Sequence, residues 1–338
     1  TLIPIMISGA FGTFCIISVN AWMNAPAGFD LDAAGEVVDV RPLEAMFNSA
    51  VLGQSVHMFV AAYMVTGFLV AAVYAVGLLK GRDDHRHRLG FAVAMTFAGI
   101  AAVVQPFVGH LTGARLAEQQ PSKLAAMELA TETETRAPLV VGGILVDDQV
   151  RFAIEIPVLG SLVATNSLNG EVPGLDEFPP DDQPPANVVH LAFQTMVAAG
   201  TLMAAVAVWY WWRRRRADDP LSPWLLRAVV GCGALAVVAL QAGWVTTEVG
   251  RQPWIVYRVM RVDEAVTTNG GIWISLAVIV VVYASMAYLA TRVIRGMTRR
   301  WRESDDIDIP TPYGPSEALT AVGSTGATKS PGVRDGAQ

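Results

Sequence analysis

Six long apolar segments separated by polar breaks dominate the pattern of this chain. They cover residues about 1–22, 50–79, 89–112, 187–212, 224–248 and 270–293. A helix needs about 20 mostly apolar residues to cross a bilayer. The pattern therefore predicts an all-α membrane protein built as a bundle of about six transmembrane helices.

Composition agrees with that fold class and narrows the partners. Of 338 residues, 53% are hydrophobic and 16% are charged, and the mean hydropathy is +0.41, values typical of integral membrane proteins. No basic stripe suits a nucleic acid, so we expect no such partner. Cys15 and Cys232 lie in apolar runs without metal-ligand spacing, and we predict that both are buried packing residues.

Basic clusters follow the second, fourth and sixth segments, at 80–88, 213–216 and 292–302. Because alternate connections lie on one side of a membrane, all three fall on the same side. The positive-inside rule assigns that side to the cytoplasm, together with the C-terminus. Residues 303–338, rich in Ser, Gly, Thr and Pro, are typical of a disordered tail, which leaves 1–302 as the transmembrane domain.

The opposite connections, 23–49, about 113–186 and 249–269, are predicted to face outward. The middle one is long and becomes acidic and Pro-rich near 171–185; loops of this length are usually functional or disordered. The chain opens Thr1-Leu-Ile-Pro without a charged segment, which is unlike a signal peptide. We therefore expect it to be part of a longer protein.

Glu248 ends the fifth apolar run and is followed by Arg251-Gln-Pro-Trp254. An ionisable side chain near the bilayer centre costs about 3 kcal/mol or more, so such a residue is a functional-site hypothesis. A helix-end Glu and Arg that simply face water explain the pattern equally well.

His57 and Met196 interrupt the second and fourth runs at a similar predicted depth near the outer face. Imidazole and thioether together form a low-spin heme iron site with a raised potential. A hydrogen-bonded structural histidine and a packing methionine are the alternatives. With Glu248, these residues place three potential ligands at one level of the bilayer.

The remaining histidines suggest no special role. His110 and His190 lie at the ends of predicted spans, where interfacial residues are common. His85 and His87 lie in a basic cytoplasmic connection and are expected to be solvated.

Lys123 and Glu128 stand five positions apart in the middle outer loop. An amine and a carboxylate near the membrane surface can hold a quinol ring and accept its protons. Spacing alone favours a different interpretation, an amphipathic surface helix with solvated charges.

Up to about residue 300, the chain resembles subunit I of the cytochrome bd quinol oxidases. Five stretches carry the resemblance: Asn20-Ala-Trp-Met-Asn-Ala-Pro26, Val56-His57 onward, Gln120-Pro-Ser-Lys-Leu-Ala-Ala-Met-Glu128, Phe193-Gln-Thr-Met-Val197, and Gly243-Trp244 with Gly250-Arg-Gln-Pro-Trp254. Their order and spacing are specific.

The resemblance implies heme ligands and residues around them. It makes His57 and Met196 the axial ligands of a low-spin heme b, and Glu248 a ligand of a high-spin heme b. Trp244 and Arg251 match residues close to the hemes. The third heme would be heme d or a third heme b.

The resemblance also implies the reaction. Lys123 and Glu128 match the quinol-oxidising loop, in its shorter form, at about 113–186. Quinol would be oxidised outside and oxygen reduced to water through three hemes, which creates a proton gradient without pumping. A second membrane subunit and a bacterial plasma-membrane location are implied as well.

The chain departs from the family pattern in two places. Members generally have spans before the position of residue 1, including a histidine that ligates a high-spin heme. The loop motif is often followed by Trp-Glu-Thr, where this chain has Thr131-Glu-Thr133. Two further hypotheses stay open, namely a transporter that uses Glu248 as a proton relay, and an inactive heme-binding remnant.

Overall fold

The computed structural model describes residues 2–217 and 219–303. Ten α-helices are present in this part of the chain: α1 (Leu2–Asn24), α2 (Pro42–Met46), α3 (Val51–Leu79), α4 (His85–Gly113), α5 (Leu116–Gln119), α6 (Pro121–Glu128), α7 (Leu159–Thr165), α8 (Ala186–Arg216), α9 (Pro223–Val249) and α10 (Ile272–Glu303). Six of them are long and apolar enough to cross a membrane, namely α1, α3, α4, α8, α9 and α10. The prediction of six spans is confirmed.

The described residues also contain two short 3₁₀ helices, Leu175–Glu177 and Pro180–Asp182. They contain eight short strands as well: β1 (Asp30–Leu31), β2 (Val37–Val38), β3 (Glu134–Thr135), β4 (Leu139–Val146), β5 (Gln149–Ile156), β6 (Glu171–Val172), β7 (Trp254–Val256) and β8 (Met260–Arg261). They form four antiparallel two-stranded sheets, β1–β2, β3–β6, β4–β5 and β7–β8. All of these strands lie in connections between the long helices.

The described residues form two units, which divide at Thr267. The second contains α10, whose 32 residues extend past the predicted end at 293. The predicted tail, 303–338, lies outside the described residues except for Glu303, the last residue of α10.

Helices α3, α4, α8 and α9 form a four-helix bundle in the first unit. Helix α3 packs on α4 and α9, and α8 packs on the same two neighbours, so α3 and α8 lie on one diagonal. Glycines permit close approach: a Cβ at Gly67 would meet the Ala98 backbone nitrogen at 2.9 Å, and one at Gly233 would meet the Ala72 Cβ at 2.7 Å. Small residues at such contacts are typical of membrane helices.

The apolar core fills the half of this bundle that is nearer the basic connections. Its largest members are the buried side chains of Phe68, Phe91, Met95, Met203 and Leu225. Cys232 belongs to this core, as predicted, whereas Cys15 on α1 is only half-buried. Helix α1 buries its last turns, including Ile17 and Ala21, and packs on α3.

At the basic end of the bundle, α4 and α9 each begin with a side-chain N-cap. The Asp84 carboxylate accepts a hydrogen bond from the backbone nitrogen of His87 at the start of α4, and the Ser222 hydroxyl accepts one from Leu225 at the start of α9. The expectation that His87 is solvated is wrong, because its ring packs edge-on against Tyr74 and also contacts Asp84. His85 is exposed, as expected.

The predicted outer loop, about 113–186, is folded rather than disordered. It contains α5, α6, α7 and the β4–β5 hairpin. One small apolar cluster joins it to the N-terminal end of α8, and a second packs within the loop itself. Helix α6 is at its centre: every residue from Ser122 to Glu128 is buried. The expectation of an amphipathic surface helix is therefore wrong, because α8 and the 171–178 segment cover α6 on several sides.

Candidate functional site

Lys123 and Glu128 are both buried on α6, with 4% and 7% of their surface exposed. Burial lowers the pKa of the Lys123 amine to about 7, assisted by the positive charge of Arg251 and opposed by Glu248. Burial also raises the pKa of the Glu128 carboxyl to about 7. Two groups that can gain or lose a proton near neutral pH therefore lie on one short helix.

Asn24, at the end of α1, joins α6 to the end of α9. Its Oδ1 atom accepts hydrogen bonds from Gln120 Nε2 at 3.0 Å, Lys123 Nζ at 3.2 Å and Arg251 Nη1 at 3.3 Å. Its backbone carbonyl accepts a further bond from Gln120 at 2.8 Å. Asn24 thus connects the α6 amine with the guanidinium beside Glu248.

Glu248 lies at the last turn of α9 between two donors. Asn20 Nδ2 donates to its Oε1 at 2.6 Å, and Arg251 Nη2 donates to its Oε2. The Arg251 side chain is 5% exposed and that of Glu248 is 43% exposed. The alternative in which both residues face water is therefore wrong for Arg251, whose burial lowers its pKa against the influence of Glu248.

Gly250 allows the Lys123 side chain to cross the end of α9. A Cβ at Gly250 would lie 2.9 Å from Lys123 Cγ and 2.4 Å from the Thr246 carbonyl oxygen. A larger residue would have to displace either the lysine stem or the helix backbone. This close approach places the Lys123 amine within reach of Asn24.

His57 lies on α3 against α4, near the end of the bundle that carries the loop. Gln105 Nε2 lies 3.1 Å from His57 Nε2 and donates to the His57 carbonyl at 3.2 Å. The other ring nitrogen, Nδ1, is buried and has no hydrogen-bond partner. With Gln105 Nε2 as the donor, His57 Nε2 accepts and the ring proton is on Nδ1. Turning the Gln105 amide, whose oxygen also lacks a partner, would let that oxygen accept from Nε2–H and free the Nδ1 lone pair.

Met196 lies on α8 and packs against α9. A Cβ at Gly243 would be 3.0 Å from Met196 Sδ, so glycine at this position accommodates the thioether. Trp244, the next residue, is half-buried one turn before Glu248. The structure places His57 and Met196 on diagonal helices, and each side chain contacts a different neighbouring helix.

Unpaired polar atoms concentrate in this region. Seven buried side-chain nitrogen or oxygen atoms in the described part of the chain have no partner, and five belong to His57, Gln105, Gln120, Glu128 and Arg251. Such atoms cost about 1–3 kcal/mol each when left unsatisfied, so their clustering indicates a ligand-binding region. The described residues contain no group of three or more His, Cys, Asp or Glu arranged for a metal ion. A heme, with one or two protein ligands, does not need such a group.

A cavity of about 480 Å³ opens beside the N-terminal end of α6. Ser122, Phe178, Trp254 and Tyr257 contribute to its wall. Neither Lys123 nor Glu128 is part of that wall, although Ser122 adjoins Lys123 in sequence. The cavity brings aromatic surface close to the buried helix.

Near the candidate site, reasoning from the sequence missed four amide side chains and was wrong about His190. These amides form hydrogen bonds within the candidate site and belong to Asn20, Asn24, Gln105 and Gln120. Their polarity, within apolar runs or within the motifs quoted above, could have identified them. His190, expected to be interfacial, is completely buried and contacts two backbone carbonyls. His110 is exposed at the end of α4, with Nε2 2.8 Å from Asn166 Oδ1.

A family model described as "Cytochrome bd terminal oxidase subunit I" matches residues 1–301. The chain belongs to the cytochrome bd terminal oxidase subunit I family. The resemblance seen in the motifs is thereby confirmed. As a family member, the chain is a membrane subunit of a terminal quinol oxidase, which is a quinol:oxygen oxidoreductase.

Individual bacterial relatives agree with this assignment. The putative cytochrome bd menaquinol oxidase subunit I of Bacillus subtilis (strain 168) is 31% identical over 314 residues, which cover 90% of this chain and 70% of that protein. Cytochrome bd-II ubiquinol oxidase subunit 1 of Escherichia coli (strain K12) is 28% identical over 79% of this chain and 66% of its own length. The chain thus spans about two thirds of each cytochrome bd relative.

A solved structure supports the fold of the cytochrome bd subunit. The bd oxidase of Geobacillus thermodenitrificans superposes with a TM-score of 0.80 at 38% sequence identity. The match covers 88% of this chain and 69% of the other chain. The helical bundle of this protein is therefore the bundle of a bd oxidase.

Proposed function

We propose that this cytochrome bd subunit oxidises quinol at the folded loop, about 113–186, and passes the electrons to hemes in the adjacent half of the bundle. The observation that carries the proposal is the burial of Lys123 and Glu128 on α6. Both have a pKa of about 7. Proton acceptors with such pKa values suit a reaction that removes two protons from its substrate near neutral pH.

His57 and Met196 would hold a low-spin heme b. The partnerless Nδ1 of His57 supports this role, provided that the Gln105 amide is turned so that its oxygen accepts from Nε2–H and the Nδ1 lone pair is free for iron. A thioether complements imidazole as a ligand that raises the potential of heme iron. When bound, the hemes supply the one-electron chemistry between quinol and oxygen.

Glu248 would ligate a high-spin heme b, with Trp244 and Arg251 close to the heme. The partial exposure of the carboxylate supports this role, because Asn20 and Arg251 engage one oxygen each and leave further lone pairs accessible. Arg251 would balance the charge of the carboxylate or of heme propionates. The third heme, heme d or another heme b, would complete the set of three.

Lys123 and Glu128 would handle the quinol protons. Glu128 in its carboxylate form would accept a proton, and its partnerless Oε2 is available for that bond. Lys123 would either donate a hydrogen bond to a ring oxygen as an ammonium or accept the second proton as an amine. The aromatic cavity beside Ser122 supports entry of the ring from the loop side.

Protons would be released outside, and those used to make water would come from the cytoplasm, which gives a gradient without pumping. The basic connections 80–88 and 213–216 lie at the bundle end opposite the loop, and the positive-inside rule assigns that end to the cytoplasm. The C-terminus would lie on the same side, in a bacterial plasma membrane. Quinol, oxygen and a second membrane subunit would be the partners.

The test is turnover of the oxidase isolated from its own membrane. We expect quinol-dependent oxygen uptake, which Glu128→Gln lowers while the heme spectrum stays intact. Quinol oxidation that is unaffected by Glu128→Gln would overturn the proposed quinol site. Retained heme without oxygen uptake would support the inactive-remnant hypothesis.

Two observations count against the transporter hypothesis. The chain belongs to an oxidase family, and Glu248 lies at a helix end rather than near mid-span.

A further inference from the structure

The first turns of α8 present a row of polar side chains to the β4–β5 hairpin. Asn187, His190 and Gln194 follow one another at intervals of three and four residues, so they lie on one face of the helix. A row of this kind in a membrane helix needs hydrogen-bond partners. Strand β4 supplies them from its main chain.

Each of the three side chains binds a different residue of β4. Asn187 makes two bonds to Leu145, accepting from its backbone nitrogen at 2.6 Å and donating to its carbonyl at 2.8 Å. Gln194 donates to the Val140 carbonyl at 2.9 Å. His190 Nε2 lies 2.9 Å from the Gly142 carbonyl oxygen. The row therefore fixes the position of the hairpin along α8.

His190 is the member that also reaches α6. Its Nδ1 lies 2.7 Å from the carbonyl oxygen of Met127, the residue before Glu128. Carbonyl oxygens only accept, so either contact is a hydrogen bond when the ring nitrogen that faces it carries the proton. With 0% of its surface exposed, the ring joins α6, β4 and α8 in one place.

The proposed heme ligand Met196 lies on the same helix, less than two turns after His190. Any displacement of α6 relative to α8 would therefore change the position of Glu128 relative to the proposed electron acceptor. Catalytic groups are sensitive to such changes, because a misplacement of about 1 Å can cost about 10²-fold in rate.

We propose that His190 is a positioning residue for quinol oxidation, which fixes the α6 segment carrying Glu128 to the helix carrying Met196. This inference rests on the proposed function, because it assigns His190 an effect only through Glu128. Because both ring nitrogens already face backbone carbonyl oxygens, the proposal assigns His190 no contact with quinol or heme.

The test compares His190→Gln with His110→Gln in the complete oxidase, with rates expressed per low-spin heme. Glutamine keeps an N–H donor but cannot reach both carbonyls at once. We expect His190→Gln to lower kcat for quinol by about 10-fold to 10²-fold. Oxygen uptake driven by the small one-electron donor tetramethyl-p-phenylenediamine should be unchanged, as should both activities of His110→Gln. Amide hydrogen exchange in 121–129 should accelerate.

A double-mutant cycle with Glu128→Ala separates positioning from general damage. If His190 acts through Glu128, adding His190→Gln to Glu128→Ala should cost less than about twofold more in quinol turnover. Additive losses, or a parallel loss of donor-driven activity, would overturn the inference. If Glu128→Ala alone has no effect, the proposed quinol site fails; if only His190→Gln has no effect, the positioning role alone fails.

Discussion

The two halves of the four-helix bundle are built on different principles. Toward the basic connections, large apolar side chains such as Phe68, Phe91 and Met203 pack without exposure. Toward the loop, α3 and α4 carry His57 and Gln105, each with a buried polar atom that lacks a partner. One half has the packing of a stable membrane bundle, whereas the other retains polar groups that lower its stability.

This difference separates residues that stabilise the bundle from residues that serve its chemistry. Unsatisfied buried polar atoms persist where function requires them. The half of the bundle nearer the loop adjoins α6 and the Asn24 network, which is where our proposed quinol and heme sites lie. Substitutions in the half nearer the basic connections should therefore mainly lower stability. Substitutions in the half nearer the loop should mainly lower activity.

The strongest challenge to this comparison is Glu248→Ala. It removes the proposed ligand and leaves the buried Arg251 without its carboxylate; because Glu248 is 43% exposed, this costs less than the roughly 3–5 kcal/mol of a fully buried pair. We expect loss of the high-spin heme b and of oxygen reduction, with the low-spin heme retained. Pyridine hemochrome counts and reduced-minus-oxidised spectra measure this. Glu264→Ala, in an exposed turn, is the control. Full heme content in Glu248→Ala would remove Glu248 as a ligand.

Two methionines on α8 compare the two halves directly. Met196→Leu removes the proposed thioether ligand, whereas Met203→Leu makes the same change in the apolar core, where volume-conserving swaps usually cost less than about 1.5 kcal/mol. We expect Met196→Leu to abolish or convert the low-spin band and to shift its midpoint potential. Met203→Leu should leave both unchanged. Identical spectra for the two variants would refute the assignment of Met196.

Glu128→Ala tests proton acceptance in the loop. We expect quinol turnover to fall by about 10²-fold to 10⁴-fold, the usual contribution of a general base, while the heme spectra stay intact. Because burial raises its pKa to about 7, Glu128 is protonated below that pH and becomes a base above it. Turnover of the unmodified enzyme should therefore rise through pH 7.

The control for that rise is Glu118→Ala, an exposed carboxylate on α5. It should keep both the rate and the pH profile. A profile for Glu128→Ala that still rises through pH 7 would assign the rise to another group.

Lys123→Met has the smallest expected effect of these substitutions. It should change stability and quinol turnover in opposite directions. The folded-state pKa is about 7, below the ordinary value of 10.5, so folding disfavours the protonated amine. That cost is complete below pH 7, declines as the pH rises, and vanishes above 10.5. We expect Lys123→Met to raise the thermal midpoint by a few degrees near pH 6, with a smaller gain near pH 9, and to lower quinol turnover.

Lys80→Met, at the exposed basic end of α3, should change neither the midpoint nor the turnover. A destabilised Lys123→Met enzyme at pH 6 would mean that the bond from Lys123 to Asn24 outweighs the cost of burying the amine.

The loop illustrates where reasoning from sequence reaches its limit. The motif Gln120 to Glu128 was visible, yet spacing alone favoured solvated charges on a surface helix. Burial of α6 depends on Leu175 and Val189, which lie some fifty residues or more further along the chain. Periodicity within one segment contains no information about such covering segments. The same holds for His190, whose partners Met127 and Gly142 are far away in sequence.

The sequence by itself determined the six spans, because bilayer thickness sets their length, and the family, because the motifs occur in a fixed order. It also identified His57, Met196 and Glu248 as polar or sulfur-bearing residues in apolar runs. Only the tertiary structure decided which groups are buried and which are joined, including the meeting of Lys123, Arg251 and Gln120 at Asn24. The physical reason is that burial and hydrogen bonding depend on which distant segments pack together. Span length and motif order, in contrast, are properties of the linear sequence.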